Sequence, residues 1–261
     1  MHGLSIPETV TDIGAHAFFE LEDFSNLWFE GNNQITSVAS NAFDRCYNLS
    51  FAANFDKIKF IGSDAFSDTS ITSVALGDHI ESIGDSAFAN CGNIGSVVIG
   101  NNLKSIGDKA FYDCSNLTSV NILGPLTSIG AGAFNGCSRL ASMNIPDSVQ
   151  SIDVSAFYAC RSLKSITIPD SVTSIGNDAF GVCTSLKSIT IGNNVTFSGD
   201  PFPSHTFYDS DGETVLQKTA ESLRGYPYVG ETVKKMIRYA EISITFDANR
   251  GSGSMEPQSA F

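Results

Sequence analysis

The chain is poor in charged residues, in basic residues and in tryptophan, and it has no long apolar run. Charged residues make up 16% of its 261 positions and hydrophobic residues 42%, which excludes a disordered chain. There are 15 Lys and Arg against 28 Asp and Glu, so the net charge of −13 excludes nucleic acid or an anionic membrane as the main partner. No stretch of about 18 apolar residues occurs, so no segment is predicted to span a bilayer.

Residue patterns that carry catalysis or bind metal are also missing. The four histidines are scattered at His2, His16, His79 and His205, without the spacing of a metal-binding pair. No nucleophile elbow, phosphate-binding loop or dinucleotide fingerprint follows a predicted strand. We therefore expect no enzyme activity, no metal and no cofactor in this chain. The N-terminus also lacks the basic start and apolar core of a signal peptide.

An internal repeat predicts the fold. The dipeptide Ala-Phe recurs eight times at a nearly constant interval between residues 17 and 180, with successive phenylalanines 25, 23, 22, 23, 23, 23 and 23 residues apart. An aliphatic residue stands five positions before each phenylalanine, and most units have a leucine or isoleucine about six positions after it. The repeated phenylalanines are Phe18, Phe43, Phe66, Phe88, Phe111, Phe134, Phe157 and Phe180.

Each repeat unit has the pattern of one coil of a solenoid. In the segment LKSITIP, alternation places Leu163, Ile166 and Ile168 inward and Lys164 and Thr167 outward, as in a strand. A Pro-Asp turn and a second short extended stretch follow, and the Ala-Phe segment is predicted to be a short helical or 3₁₀ turn. The sequence predicts an α/β solenoid of about eight stacked coils with a continuous core, spanning residues 1–197.

All six cysteines occupy one position of the repeat, three residues after a repeated phenylalanine. Leu21 and Thr69 fill this position in two other coils, which favours a buried small-residue slot over a disulfide site. A reduced ladder in the core is the preferred interpretation; bridging between neighbouring coils and metal binding are the alternatives. The cysteines are Cys46, Cys91, Cys114, Cys137, Cys160 and Cys183.

The unit SIGxxAFxxCxxLxSIxIPxxVx, seen at 128–150, 151–173 and 174–196 with one departure in each copy (Met143, Asp153 and Gly192), resembles the 23-residue leucine-rich repeat of BspA-like surface proteins. The resemblance covers residues 4–196. It implies a bacterial or protozoan protein of the cell surface, secreted from the cell, that adheres to host proteins or to other cells. Ile6 and Val10 already belong to a coil of the repeat. We therefore expect both ends of the chain to be cut. The missing signal peptide then says little about where the protein is located.

The residues after the repeats are predicted to form a small α+β cap at 198–240. It would contain a hairpin with a turn at Asp211-Gly212, a short helix starting at Thr219, and a strand in VKKMIRYA. The segment 243–261 resembles the start of a Listeria–Bacteroides repeat, a module also found in internalin B. We therefore expect residues 241–261 to begin a truncated β-repeat module.

The outward strand positions predict where a ligand binds. They hold Ser, Asn and Thr in the later coils but Trp28, Phe51 and Phe55 in the first coils, and large exposed aromatic residues indicate a contact patch. These three residues are the predicted binding site for a protein partner. Repacking of the irregular coils, or cover by further N-terminal repeats, is the alternative. The predicted function is a non-enzymatic adhesion module; a substrate-docking arm of a larger surface enzyme or effector and a structural stalk remain rivals.

Overall fold

The computed structural model is a parallel β-solenoid in which each repeat forms one coil. It describes residues 3–23, 25–31, 34–53, 55–186, 188–192 and 194–203, and the backbone of four later strands. One side of the solenoid is a nine-stranded parallel sheet in which each coil contributes one short strand in chain order. Its strands are β2 (Asp12–Ile13), β4 (Ser37–Val38), β6 (Phe60–Ile61), β8 (Ser82–Ile83), β10 (Ser105–Ile106), β12 (Ser128–Ile129), β14 (Ser151–Ile152), β16 (Ser174–Ile175) and β18 (Thr196–Phe197).

A second side carries the predicted alternating strands, which we call the outward sheet. It is divided into three parallel groups, and in most of these strands apolar side chains alternate inward with exposed side chains outward. The first group is β1 (Gly3–Ile6), β3 (Asn26–Phe29) and β5 (Phe51–Ala53). The second is β7 (Ser73–Leu76), β9 (Ser96–Ile99), β11 (Ser119–Ile122) and β13 (Ser142–Met143). The third contains β15 (Ser165–Ile168) and β17 (Ser188–Ile191).

The Ala-Phe segments are ribbons of β-turns, so the predicted helical or 3₁₀ turns, and with them the α/β class, are wrong for the described residues. Amide groups alternate between two kinds of acceptor. Ala87 and Ala89 donate to carbonyls three residues earlier in their own coil, at 3.4 and 2.9 Å, whereas Phe88 donates to Ala110 of the next coil at 2.8 Å. A helix would use all of these N–H groups locally, whereas the alternation links each coil to its neighbour.

Backbone conformation explains why these turns do not continue as a helix. The residues two before and two after the phenylalanine have positive φ in all eight coils, and a right-handed helix requires negative φ throughout. The non-glycine examples are His16, Glu20, Asn41, Arg45, Asp64, Asp68, Ser86, Asn90, Lys109, Asp113, Ser155, Ala159, Asp178 and Val182; the others are Gly132 and Gly136.

The predicted core is confirmed. From Phe43 to Phe180 the repeated phenylalanines are fully buried and stack face to face, with centroids 5.1–5.5 Å apart and planes within 9° of parallel. Phe18, in the first coil, is half-buried and stacks on Phe43 at 5.0 Å. The inward residues Leu163, Ile166 and Ile168 are buried as predicted. Stacking coils thus remove from water the apolar face that a single coil would leave exposed.

The stack of phenylalanine rings, which we call the phenylalanine ladder, continues one coil farther than the repeat pattern predicted. Phe202 is fully buried and stacks on Phe180 at 5.2 Å, and Phe180 donates its N–H to the carbonyl of Pro201 at 2.8 Å. Pro201-Phe202 therefore stands where the other coils have Ala-Phe. The spacing of 22 residues from Phe180 could have revealed this additional coil in the sequence, but Pro201 in place of Ala concealed the repeat motif. Phe202 thus extends the stack of phenylalanine rings into the segment predicted as a cap.

The later strands follow in part what the sequence predicted. Strands β19 (Phe207–Tyr208) and β20 (Val215–Leu216) pair antiparallel, as expected of the predicted hairpin. Strand β21 (Val233–Ile237) coincides with the predicted strand and pairs antiparallel with β22 (Ala240–Thr245), which pairs in parallel with β17. The turn at Asp211-Gly212, the predicted helix at 219–223 and residues 246–261 lie outside the described residues, so the α+β composition of the cap remains a prediction.

Candidate functional site

The strand register defines a row of positions at the centre of the outward sheet, which we call the central row. The strand register places its members side by side in each group: Ser5, Trp28 and Ala53 in the first, Ala75, Val98 and Asn121 in the second, and Thr167 and Thr190 in the third. The described side chains of the row change character along the solenoid. From Trp28 to Val98 they are apolar, and from Asn121 onward they are polar.

Trp28 lies where the sequence predicted, on the outward side of β3. Its side chain is 42% exposed, whereas its neighbours Leu27 and Phe29 point into the core and are buried. The indole lies against Gly3 of the preceding strand, since a Cβ atom at Gly3 would overlap the ring. A large aromatic side chain held half-exposed on a sheet is the kind of group that anchors protein–protein contacts.

Phe55 was predicted to face outward, and this prediction is wrong. It is 2% exposed and packs edge-on between the rings of Phe29 and Phe66, at centroid distances of 6.0 and 5.6 Å. Phe55 forms a bridge with Leu76, an inward residue of the next coil. It stands six residues after Leu49, whereas Leu76 stands five after the equivalent Ile71, so one extra residue in the strand reverses the alternation.

Phe51, the third predicted binding residue, belongs to β5, where its Cα pairs with Asn26. Its side chain lies outside the described residues, so its role stays a prediction. The residue that pairs with Trp28 is Ala53, so neither predicted phenylalanine pairs with Trp28 in the register. Of the predicted patch, the structure leaves Trp28 as the residue shown to be exposed.

Sequence reasoning missed two exposed apolar residues beside this row. Val98 on β9 is 47% exposed, and Leu123, directly after β11, is 57% exposed. Asn121 pairs with Val98, so Leu123 lies diagonally across from it on the outward side. A signal for Val98 existed: it fills the slot that holds Asn121 and Thr167 in later coils. From Trp28 to Val98 the row crosses three strand spacings, about 14 Å.

The six cysteines lie in the predicted slot and are fully buried. Each thiol donates to the carbonyl of a repeated phenylalanine in the preceding coil at 3.0–3.2 Å, as Cys114 does to Phe88. Burial raises the pKa of the Cys46 and Cys91 thiols to about 11 and that of Cys183 to about 12. These thiols stay protonated at neutral pH, so they are not poised as nucleophiles.

A shallow depression of about 560 Å³ lies on the turn ribbons. Its lining includes Asp44, Asp64 and Asp68, with Arg45 and Lys109, but no histidine or cysteine. Burial raises the pKa of the Asp44 and Asp64 carboxyls, and Asp68 adds to both shifts. Asn41 donates a hydrogen bond to Asp44 at 3.3 Å. Within the described ranges, no group of three or more histidine, cysteine or carboxylate side chains has a geometry that could hold a metal ion.

The fold and the exposed row define the chain as a repeat-built solenoid with an extended outer surface. The model of the BspA type leucine rich repeat region matches residues 1–118 and 104–215, in six copies. The chain therefore belongs to the BspA type leucine-rich-repeat family. No curated protein matches it significantly. In the part of the chain that the structure describes, no helix has the length and apolarity needed to cross a membrane.

Three solved structures are similar to this chain. A leucine rich cell surface protein from Faecalibacterium prausnitzii is 21% identical over 76% of this chain and 79% of its own, with a TM-score of 0.43. A leucine-rich repeat protein from Bacteroides ovatus is 22% identical over 76% and 74%, with a TM-score of 0.36. The T. pallidum leucine rich repeat protein is 26% identical over 51% and 71%, with a TM-score of 0.45.

Proposed function

We propose that this chain is a non-enzymatic binding module of a bacterial cell-surface protein, and that it contacts a protein partner through the apolar part of the central row. The exposed Trp28 is the observation that carries the proposal. The extracellular location and the adhesive role rest on membership of the BspA type family. The contact surface rests on the side chains of the first coils.

The energetics favour the N-terminal part of the outward sheet over the rest of it. Tryptophan is enriched among residues that dominate binding energy, whereas serine and threonine are under-represented. Trp28, Ala75 and Val98 offer apolar area that a partner can remove from water, at about 25 cal/mol per Å². The later positions Asn121 and Thr167 offer little apolar area to a partner. A partner that covers the row should therefore draw most of its affinity from the first coils.

The experiment compares two single substitutions on the same sheet. Partners are first captured from host matrix or co-resident bacteria on the immobilised chain and identified, and their affinity for purified variants is then measured by surface plasmon resonance. Trp28→Ala should weaken binding by about 2 kcal/mol or more. The matched control Thr167→Ala, an outward substitution in a later coil, should change the affinity by less than about 0.5 kcal/mol. Equal affinity of wild type and the Trp28→Ala protein would refute the proposed surface.

A further inference from the structure

We propose that the partner segment docking on the apolar part of the central row carries lysine or arginine side chains beside its apolar ones. This inference rests on the proposed function and adds to it the charge of the partner. It is carried by four carboxylates, which we call the acidic rim. Each lies in the turn that follows the outward strand of one of the first four coils: Glu8, Glu30, Asp56 and Asp78.

Hydrogen bonding places the rim next to the exposed tryptophan. The hydroxyl of Ser5 donates to Oε1 of Glu30 at 2.6 Å, and Ser5 is the residue that pairs with Trp28 in the β1–β3 register. The Glu30 carboxylate therefore reaches back over the outward side to the strand beside the indole. Oε2 of Glu8 lies against Gly31, in the turn directly after Glu30. Glu30 thus lies beside the strand position next to Trp28, and Glu8 lies against the turn that follows Glu30.

The rim occupies the first four coils, whereas the apolar row runs from the second coil to the fifth. Glu8, Glu30, Asp56 and Asp78 are all exposed, and the half-buried Lys57 is the cation in these turns. Four carboxylates against one lysine leave the stretch negative. The equivalent turns of later coils carry two carboxylates, Asp147 and Asp170. Their other residues at these positions are uncharged: Asn101, Asn102, Pro125 and Asn194. Apolar exposure and negative charge therefore overlap in the second, third and fourth coils.

The arrangement is that of an interface with an apolar centre and a charged border. Apolar residues at the centre of an interface determine how long a complex lasts, whereas border charges act mainly on the rate of association. A border of one sign attracts a partner of the opposite sign and repels one of the same sign. Trp28 and Val98 supply the centre, and the rim selects a basic segment. The alternative is that an acidic or neutral partner segment docks on this surface.

The first test needs no partner, because Trp28 is the one tryptophan of the chain and reports on its own surroundings. Caesium and iodide quench exposed indoles and differ in charge, and neutral acrylamide corrects for exposure. Each ion's quenching is divided by its quenching of free N-acetyltryptophanamide, because the two ions differ in intrinsic efficiency. After this normalisation we expect caesium to quench Trp28 more strongly than iodide, and we expect the double variant Glu30→Gln, Asp56→Asn to reduce this difference. The control Asp147→Asn, in the equivalent turn of a later coil, should leave it unchanged. Equal normalised quenching by both ions in wild type would overturn the inference.

The second test uses two synthetic extended peptides as probes, one alternating valine with lysine and the other valine with glutamate. Stopped-flow kinetics should show the lysine peptide binding, with association slowed about three-fold or more in the double variant and by added salt. Its dissociation rate should stay unchanged in that variant but rise about 30-fold in Trp28→Ala. Asp147→Asn again serves as the control.

The outcomes separate the two proposals. If both peptides bind equally and both require Trp28, the basic character of the partner is wrong and the proposed surface stands. If the lysine peptide binds as well to Trp28→Ala as to wild type, charge alone attracts it and the docking site is wrong. If neither peptide binds, or the glutamate peptide binds more tightly, the inference is overturned, while the proposed function is still judged by the captured partner.

Discussion

The indole ring of Trp28 lies over Gly3, so that a side chain at position 3 would overlap ring atoms Cη2 and Cζ3. Gly3 pairs with Asn26, and Ser5 pairs with Trp28, so the ring reaches diagonally across strand β1. The absence of a side chain at Gly3 lets the indole rest on the backbone and remain only 42% exposed. The pose of the exposed tryptophan therefore depends on a glycine in the preceding coil.

Replacing this glycine should move the tryptophan. In Gly3→Ala we expect the indole to be displaced toward water, with a red shift of its fluorescence emission and stronger quenching by acrylamide. Gly95→Ala is the control, because a Cβ atom there would meet only the carbonyl of Thr72, at an ordinary 3.9 Å. Identical emission spectra for Gly3→Ala and wild type would show that the ring does not rest on Gly3.

The middle of the phenylalanine ladder should be the most sensitive part of the core. Phe134 is fully buried and stacks between Phe111 and Phe157, at 5.4 and 5.5 Å. Phe134→Ala should lower the free energy of unfolding by about 3–5 kcal/mol, because it leaves a cavity between two coils. Phe18→Ala, in the half-buried first coil, should cost clearly less. Denaturant unfolding measures both, and a loss below about 1 kcal/mol for Phe134→Ala would contradict the buried ladder.

The cysteine ladder should be reduced and unreactive in the folded chain. Mass spectrometry after alkylation under denaturing, non-reducing conditions should count six modified thiols. Alkylation of the native protein should be slow for every one of them, because burial blocks access and raises the thiol pKa. Two or more thiols protected as disulfides would refute the reduced ladder.

The same thiols should make the fold sensitive to alkaline pH. Their pKa rises from an ordinary 9.0 to about 11 for Cys46 and Cys91 and to about 12 for Cys183. Between pH 9.0 and about 11 the unfolded chain has lost these protons and the folded chain retains them. The free energy of unfolding should therefore fall with rising pH, by about 1.4 kcal/mol per pH unit for each thiol.

A single substitution isolates this effect from other groups that titrate in the same range. Cys114→Ala removes one buried thiol, so its stability should fall less steeply than that of wild type, by about 1.4 kcal/mol per pH unit. Denaturant unfolding under reducing conditions at several alkaline pH values measures the difference. Parallel pH curves for the two proteins would show that Cys114 does not contribute.

The turn ribbons contain one residue that is poorly suited to its backbone conformation. Val182 has a φ of 57°, in the left-handed region that β-branched side chains disfavour. Asn90 fills the same slot two residues after Phe88, with a φ of 59°. Val182→Asn should therefore stabilise the fold by about 1 kcal/mol, and the reciprocal Asn90→Val should destabilise it by a similar amount. Thermal unfolding of both variants checks the pair, and shifts of equal sign would contradict the argument.

Some features of the binding surface could be predicted from the sequence and others could not. Trp28 stands in a strand of regular alternation, so its outward position follows from the period of two. Phe55 stands after an extra residue, and one added residue reverses the facing of every side chain that follows. The exposure of Val98 follows from its slot alone, but its position opposite Asn121 and near Leu123 depends on the register between coils.

The sequence by itself determined the repeat, the inward phenylalanine ladder and the common slot of the six cysteines, because a fixed period places equivalent residues at equivalent points of every coil. Only the tertiary structure decided that the Ala-Phe segments are turns, because their N–H groups donate alternately to carbonyls of their own coil and to carbonyls of the next coil. It likewise placed Trp28 on Gly3 and Glu30 on Ser5. These contacts join residues that are 25 positions apart in the sequence. The local sequence pattern does not relate such residues, whereas the stacking of one coil on the next brings them together.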